Sequence, residues 1–271
     1  MTVVIVASQR DAAALNIADK LIKDHGFEKG EGTSPRSPCY VRGNAQLVYL
    51  DRDVIYADAI DTELHCEAII FASRHKSDSG NPTLTTHVSG NPGSTASLGG
   101  LARRLALAHP QMLRSALVGL AQAARDLGLG QYAVSLEATH HGPTELGVPS
   151  MFVEIGSTER EWSDPRAGKA AAQAISFSLT ATENGPSAVG FGGGHYSSKH
   201  TEISLGGKYC VGHILPKYFF DDYDAEIVRL AFERTVGNCK LAVIDWKGMR
   251  GGQRTRLLED LKRLGINTVR T

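Results

Sequence analysis

The sequence has few of the features that would place it outside the ordinary class of globular, intracellular proteins. Its 271 residues include only four cysteines and no C-x-x-C pair, which argues against a disulfide framework and a cysteine-type zinc site. No stretch approaches the roughly 20 apolar residues that a membrane-spanning helix needs. The apolar run after Met1 lacks the basic segment of a secretory signal. We therefore expect a soluble, cytoplasmic protein with no membrane partner.

Net charge is also lacking, because 29 basic side chains balance 29 acidic ones. A protein of this balance has no global field that attracts nucleic acid, so such a partner needs a local patch. One candidate lies between Lys240 and the C-terminus, where basic side chains outnumber acidic ones. A solvated helix face is the alternative interpretation of this patch. The candidate contacts with an RNA backbone are Lys247, Arg250, Arg254 and Arg256.

Three familiar catalytic or cofactor motifs are missing as well. There is no G-x-G-x-x-G opening a helix, and there is no P-loop, so we expect no nucleotide cofactor. A G-x-S-x-G elbow for a serine nucleophile is also absent. The chemistry must come from other side chains.

The hydrophobic pattern alternates between buried strands and amphipathic helices. Short β-branched runs predict buried strands, and apolar residues at helical spacing predict the helices between them. The predicted strands cover residues 3–7, 47–49, 54–56, 68–72, 132–136, 151–155, 188–191 and 241–245. The predicted helices cover residues 11–23, 111–127, 165–179, 225–232 and 255–264. This order predicts an α/β fold with a mostly parallel sheet and helices on both faces.

Two stretches are predicted as loops. Residues 30–38 are rich in turn-forming residues, and residues 73–99 are polar and contain several glycines and prolines. A loop as long as the second is more often functional than idle. We therefore expect one hydrolase-like domain over residues 1–271 with a long functional loop at about 73–99, acting as a monomer.

Polar groups follow five of the predicted strands. Open α/β sheets bind ligands beyond the carboxyl ends of their strands, and histidine is a common metal ligand and proton carrier. Five strand ends carrying imidazole or charged groups indicate one site better than any single motif does. The groups are Arg74 and His75, then Glu137, His140 and His141, then Glu154, then His195 and His200, and last Asp245 and Lys247.

The pair His140 and His141 follows Glu137 closely. Adjacent residues on an extended segment point to opposite sides, so we expect one of the two histidines to face the site. Glu137 and His140 could reach one cation, and a His/Glu set with an open position is what hydrolytic zinc uses to lower the pKa of water. A histidine bonded to backbone at a strand end is the alternative for either residue. The predicted catalytic residues are His140, His141, Glu137 and His195.

The metal and substrate sets extend from this group. His87 joins the metal set because its loop is long, and the glycines before His195 let a backbone approach a ligand and offer N–H groups to a developing oxyanion. Lys217 could meet a phosphate. The predicted metal ligands are His140, His195, Glu137, Glu154 and His87. The predicted substrate-binding residues are Arg74, His75, Gly193, Gly194, His200, His213 and Lys217.

With these residues in view, the chain resembles the archaeal and plant type of D-aminoacyl-tRNA deacylase, which is distinct from the common bacterial and eukaryotic deacylase. The resemblance spans nearly the whole chain. It rests on the blocks LEATHHGPT at 136–144, FVEIGS at 152–157, GGGHY at 192–196 through His200, GHILPKY at 212–218, and SRH at 73–75.

The resemblance implies a zinc-containing hydrolase of phosphorylase/hydrolase-like α/β fold, related in architecture to peptidyl-tRNA hydrolase. Its substrate would be the ester that joins a D-amino acid to the terminal ribose of tRNA, so that hydrolysis recycles tRNA and keeps translation homochiral. The alternatives are a metal-dependent hydrolase or phosphorylase of a small molecule, and a non-enzymatic tRNA-binding module. A small-molecule enzyme would not lose activity with rising salt as a tRNA enzyme does.

Overall fold

The computed structural model describes residues 1–30, 38–180 and 185–271, and it contains two principal sheets. Residues 31–37 of the turn-rich segment predicted at 30–38 lie outside the described part. The strands are β1 Val3–Ser8, β2 Glu28–Lys29, β3 Cys39–Arg42, β4 Ala45–Leu50, β5 Ala68–Lys76, β6 Thr83–His87, β7 Gly90–Asn91, β8 Arg104–Leu105, β9 Ala133–Leu136, β10 Ser150–Ser157, β11 Ser187–Phe191, β12 Cys210–Leu215, β13 Leu241–Ile244 and β14 Asn267–Arg270.

The helices between these strands are α1 Ala12–Asp24, α2 Asp61–Leu64, α3 Pro110–Asp126, α4 Glu159–Trp162, α5 Pro165–Ser178, α6 Ser198–Leu205, α7 Ala225–Glu233 and α8 Gly251–Arg263, with 3-10 turns at Val54–Tyr56 and Lys217–Asp222. Of these helices, α1, α3, α5, α7 and α8 follow the predicted amphipathic segments closely. Among the described residues, no helix combines the length and the apolar character needed to cross a membrane.

The larger sheet has eight strands in the order β2-β3-β4-β1-β5-β10-β6-β9. Strands β4, β1, β5 and β10 run parallel to one another, whereas β3 runs antiparallel to β4. Strand β6 runs antiparallel to β10 and pairs with β9 in parallel. The smaller sheet, β12-β11-β13-β14, is parallel throughout. The predicted α/β fold with a mostly parallel sheet and flanking helices is confirmed.

The central strands present two different faces. On one face, Ile70 and Ala72 of β5 and Val153 of β10 pack in a core with helices α1, α3 and α5. On the other face, Phe71 and Phe152 stack with ring centroids 4.8 Å apart in a smaller core that includes Val54 and Leu64. Side chains alternate between the faces of a strand, so the residues two and four positions beyond these phenylalanines share the second face.

The two sheets are joined by a common core and by the segment that follows β9. Ala188, Val211 and Val243 of the smaller sheet belong to the same buried cluster as Leu113 and Leu117 of α3. The amide of Ala138 donates to the carbonyl of His195, and the amide of Thr139 donates to the carbonyl of Ile214. This shared packing places the segment after β9 at the junction of the sheets, and the single domain over residues 1–271 stays a prediction.

The prediction of a long loop at 73–99 was wrong. Strand β5 continues to Lys76, and β6 forms a buried strand inside the sheet. The threonines of β6 gave the segment its polar composition, yet they are β-branched and suit a strand. Thr86 donates from its hydroxyl to the carbonyl of Phe152 on β10, so burial leaves that hydroxyl satisfied.

The strand predicted at 54–56 was also wrong, because these residues form a 3-10 turn. The amide of Tyr56 donates to the carbonyl of Asp53, and the amide of Ala57 donates to the carbonyl of Val54. The backbone hydrogen bonds of the segment are therefore local and do not reach a neighbouring strand. The elements that the hydrophobic pattern did not predict are strands β2, β3, β6, β7, β8, β12 and β14 and helices α2, α4 and α6.

Candidate active site

Five histidines and two glutamates meet on the second face of the larger sheet, where it joins the smaller one. Glu154 lies in the middle of β10, two residues beyond Phe152, and His87 ends β6 opposite Phe152. His75 lies near the end of β5 on the same face as Glu154. The set is named the histidine–glutamate centre, and it consists of His75, His87, His140, His141, His195, Glu137 and Glu154.

Glu137 is the carboxylate shared by most of the histidines. Its Oε1 lies 3.3 Å from Nδ1 of His75, and its Oε2 lies 3.4 Å from Nε2 of His195 and 3.7 Å from Nε2 of His140. The side chain is fully buried, because the segment after β9 runs between the two sheets. Glu137 is therefore enclosed by imidazoles.

Glu154 is the second buried carboxylate of the centre. Its Oε2 lies 3.4 Å from Nε2 of His87 and 3.7 Å from Nδ1 of His75. Burial alone would raise the pKa of Glu154, but His75 and His87 hold it well below the usual value. Glu154 is thus a carboxylate at neutral pH.

The two adjacent histidines both face the centre, contrary to the expectation that only one would do so. His141 adopts a left-handed backbone conformation with φ of 45°, which turns the chain between the two side chains. As a result, the ring centroids of His140 and His141 lie 4.3 Å and 4.9 Å from that of His87. Each of the pair donates from Nδ1 to a backbone carbonyl, that of Ala138 for His140 and that of Gly142 for His141, which leaves Nε2 as the free lone pair.

The histidines fall into two electrostatic classes. Burial, followed by neighbouring imidazoles, lowers the pKa of His140 well below its usual value and that of His141 to about 4. Burial also acts to lower the pKa of His75 and His87, but the neighbouring carboxylates Glu154 and Glu137 outweigh it and raise both values. His140 and His141 are therefore neutral at pH 7, which is the form that binds a cation.

Several buried polar atoms of the centre have no hydrogen-bond partner among the described residues. These atoms are both ring nitrogens of His87, both carboxylate oxygens of Glu137, and Oε2 of Glu154. Buried polar atoms are normally satisfied, and a metal ion could satisfy a group of orphaned ligand atoms such as this one. Three overlapping sets have ligand atoms within 4.8 Å of one another: His75, Glu137, His140 and His195; His87, His140 and His141; and His87, Glu137 and Glu154.

The spacing of these atoms suits a tetrahedral ion. Nitrogen and oxygen ligands lie about 2.1 Å from zinc, so two ligands of one tetrahedral ion are about 3.4 Å apart. The separations from Glu137 to His75 and His195 are 3.3 Å and 3.4 Å, which match this ligand-to-ligand distance. The centre also holds more donors than one four-coordinate ion uses.

The centre opens into a cavity of about 660 Å³. His140, His141 and His195 line it and are partly exposed, and the side chains of His140 and His195 are 23% and 33% exposed. Val54, Ile55 and Leu98 form an apolar part of the wall, while residues 73–79 form a polar part. A small ligand bound there would contact the imidazoles directly.

Arg74 and Tyr196 also line this cavity. Arg74 donates to the carbonyl of Arg10, and its guanidinium lies over the ring of Trp162. Tyr196 was missed from the sequence, although its hydroxyl lies 2.9 Å from Nε2 of His75 and holds that ring with Nδ1 toward Glu137.

Two histidines predicted to bind substrate lie elsewhere, so this assignment is corrected. His200 is on α6, fully buried, with Nε2 bonded to the carbonyl of Val243. His213 is in the middle of β12, where Thr139 donates to its Nδ1 and its Nε2 donates to Ala106. Burial lowers the pKa of His213 to about 4. Both rings are buried in the core, and neither is among the described residues that line the cavity, although Nδ1 of His200 has no hydrogen-bond partner there.

The glycine segment before His195 acts first as a turn. Gly192 and Gly193 have φ of 89° and 76°, which favours glycine, and the carbonyl of Gly193 accepts from the amide of Lys217. The described lining of the cavity includes His195 and Tyr196 but neither Gly193 nor Gly194. Their contact with a substrate therefore stays a prediction.

The four basic residues that were predicted to contact an RNA backbone differ in their surroundings. The guanidinium of Arg254 lies over Trp246 and donates to the carbonyls of Trp246 and Met249. That of Arg256 lies over the ring of Tyr223. Lys247 and Arg250 are exposed and line a second, smaller cavity together with Lys217.

Comparison with known proteins gives consistent matches over the whole chain. Residues 62–269 match the family model described as D-aminoacyl-tRNA deacylase. The D-aminoacyl-tRNA deacylase of Pyrococcus furiosus is 38% identical over 98% of this chain and 99% of its own length. That of Methanosarcina mazei is 37% identical over 99% of this chain and 92% of its own. A crystal structure of a conserved protein of unknown function superposes with a TM-score of 0.88 at 33% identity, covering 99% of this chain and 95% of that one.

Proposed function

Since the chain belongs to the D-aminoacyl-tRNA deacylase family, we propose that its histidine–glutamate centre holds zinc and hydrolyses the ester between a D-amino acid and tRNA. The observation that carries the proposal is the group of orphaned carboxylate and imidazole atoms around Glu137. Such a group is costly to bury unless an ion completes it. A tRNA substrate also implies a cytoplasmic protein.

The donor set supports zinc over a harder cation. Magnesium and calcium prefer oxygen ligands, whereas imidazole suits zinc and other late transition metals. His75, Glu137 and His140 supply three ligand atoms, and catalytic zinc sites commonly use three protein ligands and leave one position open. Zinc bound there would polarise the ester carbonyl and lower the pKa of water.

The remaining residues bind and position the reacting groups. Glu154 and His87 lie deeper and hold the centre from beneath. His195 is the most accessible imidazole of the first set, and we assign it the proton step: its ring takes a proton from the attacking water and returns it to the ribose oxygen that leaves. Water adds to the ester carbon, the C–O bond to ribose breaks, and the products are the free D-amino acid and tRNA.

A deacylation assay tests this function. Purified protein should release D-tyrosine from D-tyrosyl-tRNA much faster than L-tyrosine from L-tyrosyl-tRNA. Prolonged chelation should abolish release, and added zinc should restore it, with zinc content measured in parallel by elemental analysis. Equal rates on the two substrates would contradict the D-specific function, and full activity in a metal-free preparation would contradict the zinc centre.

A further inference from the structure

A second cavity, of about 310 Å³, lies beside the histidine–glutamate centre and is bordered by three basic side chains, Lys217, Lys247 and Arg250. It is named the basic pocket. Asp221 is the one carboxylate among the described residues that line it, so the local balance is positive. Among the residues that the structure describes, no ion pair joins any of the three cations to an acidic group. Free cations around a concave surface attract an anion.

The basic pocket is connected to the candidate active site through the glycine turn. The amide of Lys217 donates to the carbonyl of Gly193 over 2.9 Å, and His195 follows Gly193 by two residues. Two residues span at most about 7 Å of chain. Tyr218 lines the pocket as well, and partial burial together with the charge of Glu137 raises the pKa of its phenol. The pocket and the centre are therefore immediate neighbours.

The neighbouring arginines are less available to a ligand. Arg254 is bonded to two backbone carbonyls, and Arg256 lies over Tyr223. A guanidinium with such contacts stabilises the loop or helix that carries it and is less free to bind a ligand. The charge that remains free in this region is concentrated on the side chains of the basic pocket.

We propose that the basic pocket binds a phosphate of the RNA backbone next to the aminoacylated terminal nucleotide. The inference rests on the proposed function, because the ester must lie at His195 and the nearest phosphodiester is only a nucleotide away. A phosphate there would fix the register of the acceptor end, so that the ester carbonyl reaches the centre. Tyr218 would lie between the two groups and offer a ring to the terminal base.

The test compares substrates with and without phosphate. The variants Lys217→Ala, Lys247→Ala and Arg250→Ala are measured on D-tyrosyl-tRNA and on D-tyrosine esterified to adenosine. Each should raise KM for the tRNA substrate roughly tenfold and reduce the salt dependence of binding by about one ion, because one charged contact is lost. Hydrolysis of the adenosine ester should not change.

The matched control is Lys262→Ala, an exposed cation on α8 about 18 Å along the helix axis from Arg250. It should leave KM and the salt dependence unchanged. Equal losses on the tRNA and adenosine substrates, or an unaltered salt dependence in all three pocket variants, would overturn the proposal.

A binding measurement separates this inference from the deacylase function. The trinucleotide CpCpA, which carries the backbone but no ester, should bind the native protein and bind Arg250→Ala more weakly, whether or not the protein releases D-tyrosine. Equal binding by the two proteins overturns the phosphate site. Saturable binding of inorganic phosphate without binding of CpCpA would assign the pocket to a small anion and would overturn it as well.

Discussion

Oε1 of Glu137 lies 3.3 Å from Nδ1 of His75, and neither oxygen of this buried carboxylate has a hydrogen-bond partner among the described residues. The pair has the separation of two ligands on one tetrahedral ion. Tyr196 fixes the imidazole from its other side, so the ring cannot turn away without breaking that hydrogen bond. If the proposed zinc binds here, Glu137 and His75 would be a preorganised ligand pair.

Replacing Glu137 with Gln tests this pair. The amide keeps the shape of the side chain but loses its charge, so zinc binding and deacylation should fall together. We expect zinc affinity and the deacylation rate each to fall by at least about 100-fold, because losing a ligand costs at least as much as losing a group that supports one. Elemental analysis and the D-tyrosyl-tRNA assay give the two readouts. Glu202→Gln, on the exposed side of α6, is the control and should retain both. Retained zinc in Glu137→Gln would contradict the ligand assignment.

His195→Gln should behave differently from a ligand variant. We expect a loss of roughly 10² to 10⁴ in kcat with zinc content nearly unchanged, because the proton step is removed while His75, Glu137 and His140 remain. The bound zinc is measured on the same preparation. His25→Gln, at the end of α1, should leave both values unaltered. If His195→Gln loses zinc in proportion to activity, then His195 is a ligand rather than the proton carrier.

The burial of His213, which is hydrogen-bonded to Thr139, leads us to expect that the stability of the fold depends on pH. Burial lowers the pKa of His213 to about 4 from 6.5, so the unfolded chain binds more protons between these values. The free energy of unfolding should therefore fall as pH drops from 6.5 to 4, by up to about 3 kcal/mol from this group, and change no further from it below pH 4.

Urea unfolding of metal-free protein at a series of pH values measures this effect. His213→Gln cannot take up the proton, so its stability should depend less on pH within the same window, whatever its absolute stability. The difference between the two slopes isolates His213 from the other titrating groups. Parallel curves for the two proteins would show that His213 does not carry this linkage.

Gly99 supports the apolar wall of the larger cavity. Its φ is 79°, and a Cβ added there would lie 2.0 Å from the carbonyl oxygen of Ile55. Gly99→Ala should therefore destabilise the fold by more than about 2 kcal/mol, combining backbone strain with overpacking. Gly43→Ala, at φ of 57° with no atom within 4 Å, should show only the backbone cost of about 1 kcal/mol. Similar losses in the two variants, measured by thermal unfolding, would contradict the close contact.

Site residues could be predicted from the sequence where the residue type and its position after a strand were sufficient. They could not be predicted where their location depends on contacts between distant parts of the chain. Glu137, His140 and His195 follow apolar runs, so their meeting could be anticipated from the general behaviour of sheets. The strong β-branched and helical periodicities likewise located most elements of the fold. In both cases the physical signal is local, lying within a few consecutive residues.

The misses arose where the signal is not local. His200 and His213 look like site residues in sequence, but long-range packing with Val243 and Ala106 encloses them. Both His140 and His141 face the centre because His141 has a left-handed backbone conformation. Glycine is the residue that usually indicates such a conformation, and the sequence has no glycine at this position. Strand β6 was not predicted because its threonines give it a polar composition. The hydroxyl of Thr86 gains its hydrogen-bond partner, the carbonyl of Phe152, only once the sheet has formed. Only the assembled structure supplies this information.

The antiparallel entry of β6 beside β10 has a consequence for how the protein tolerates insertions and deletions. His87 and Glu154 are aligned by strand register, with Phe152 opposite His87, rather than by a loop that could adjust. Losing one residue between Phe152 and Glu154 would turn that carboxylate from the cavity into the helix-covered core and leave a bare charge among alanines and leucines. Changes in chain length should therefore be acceptable in the turns but not within these two strands.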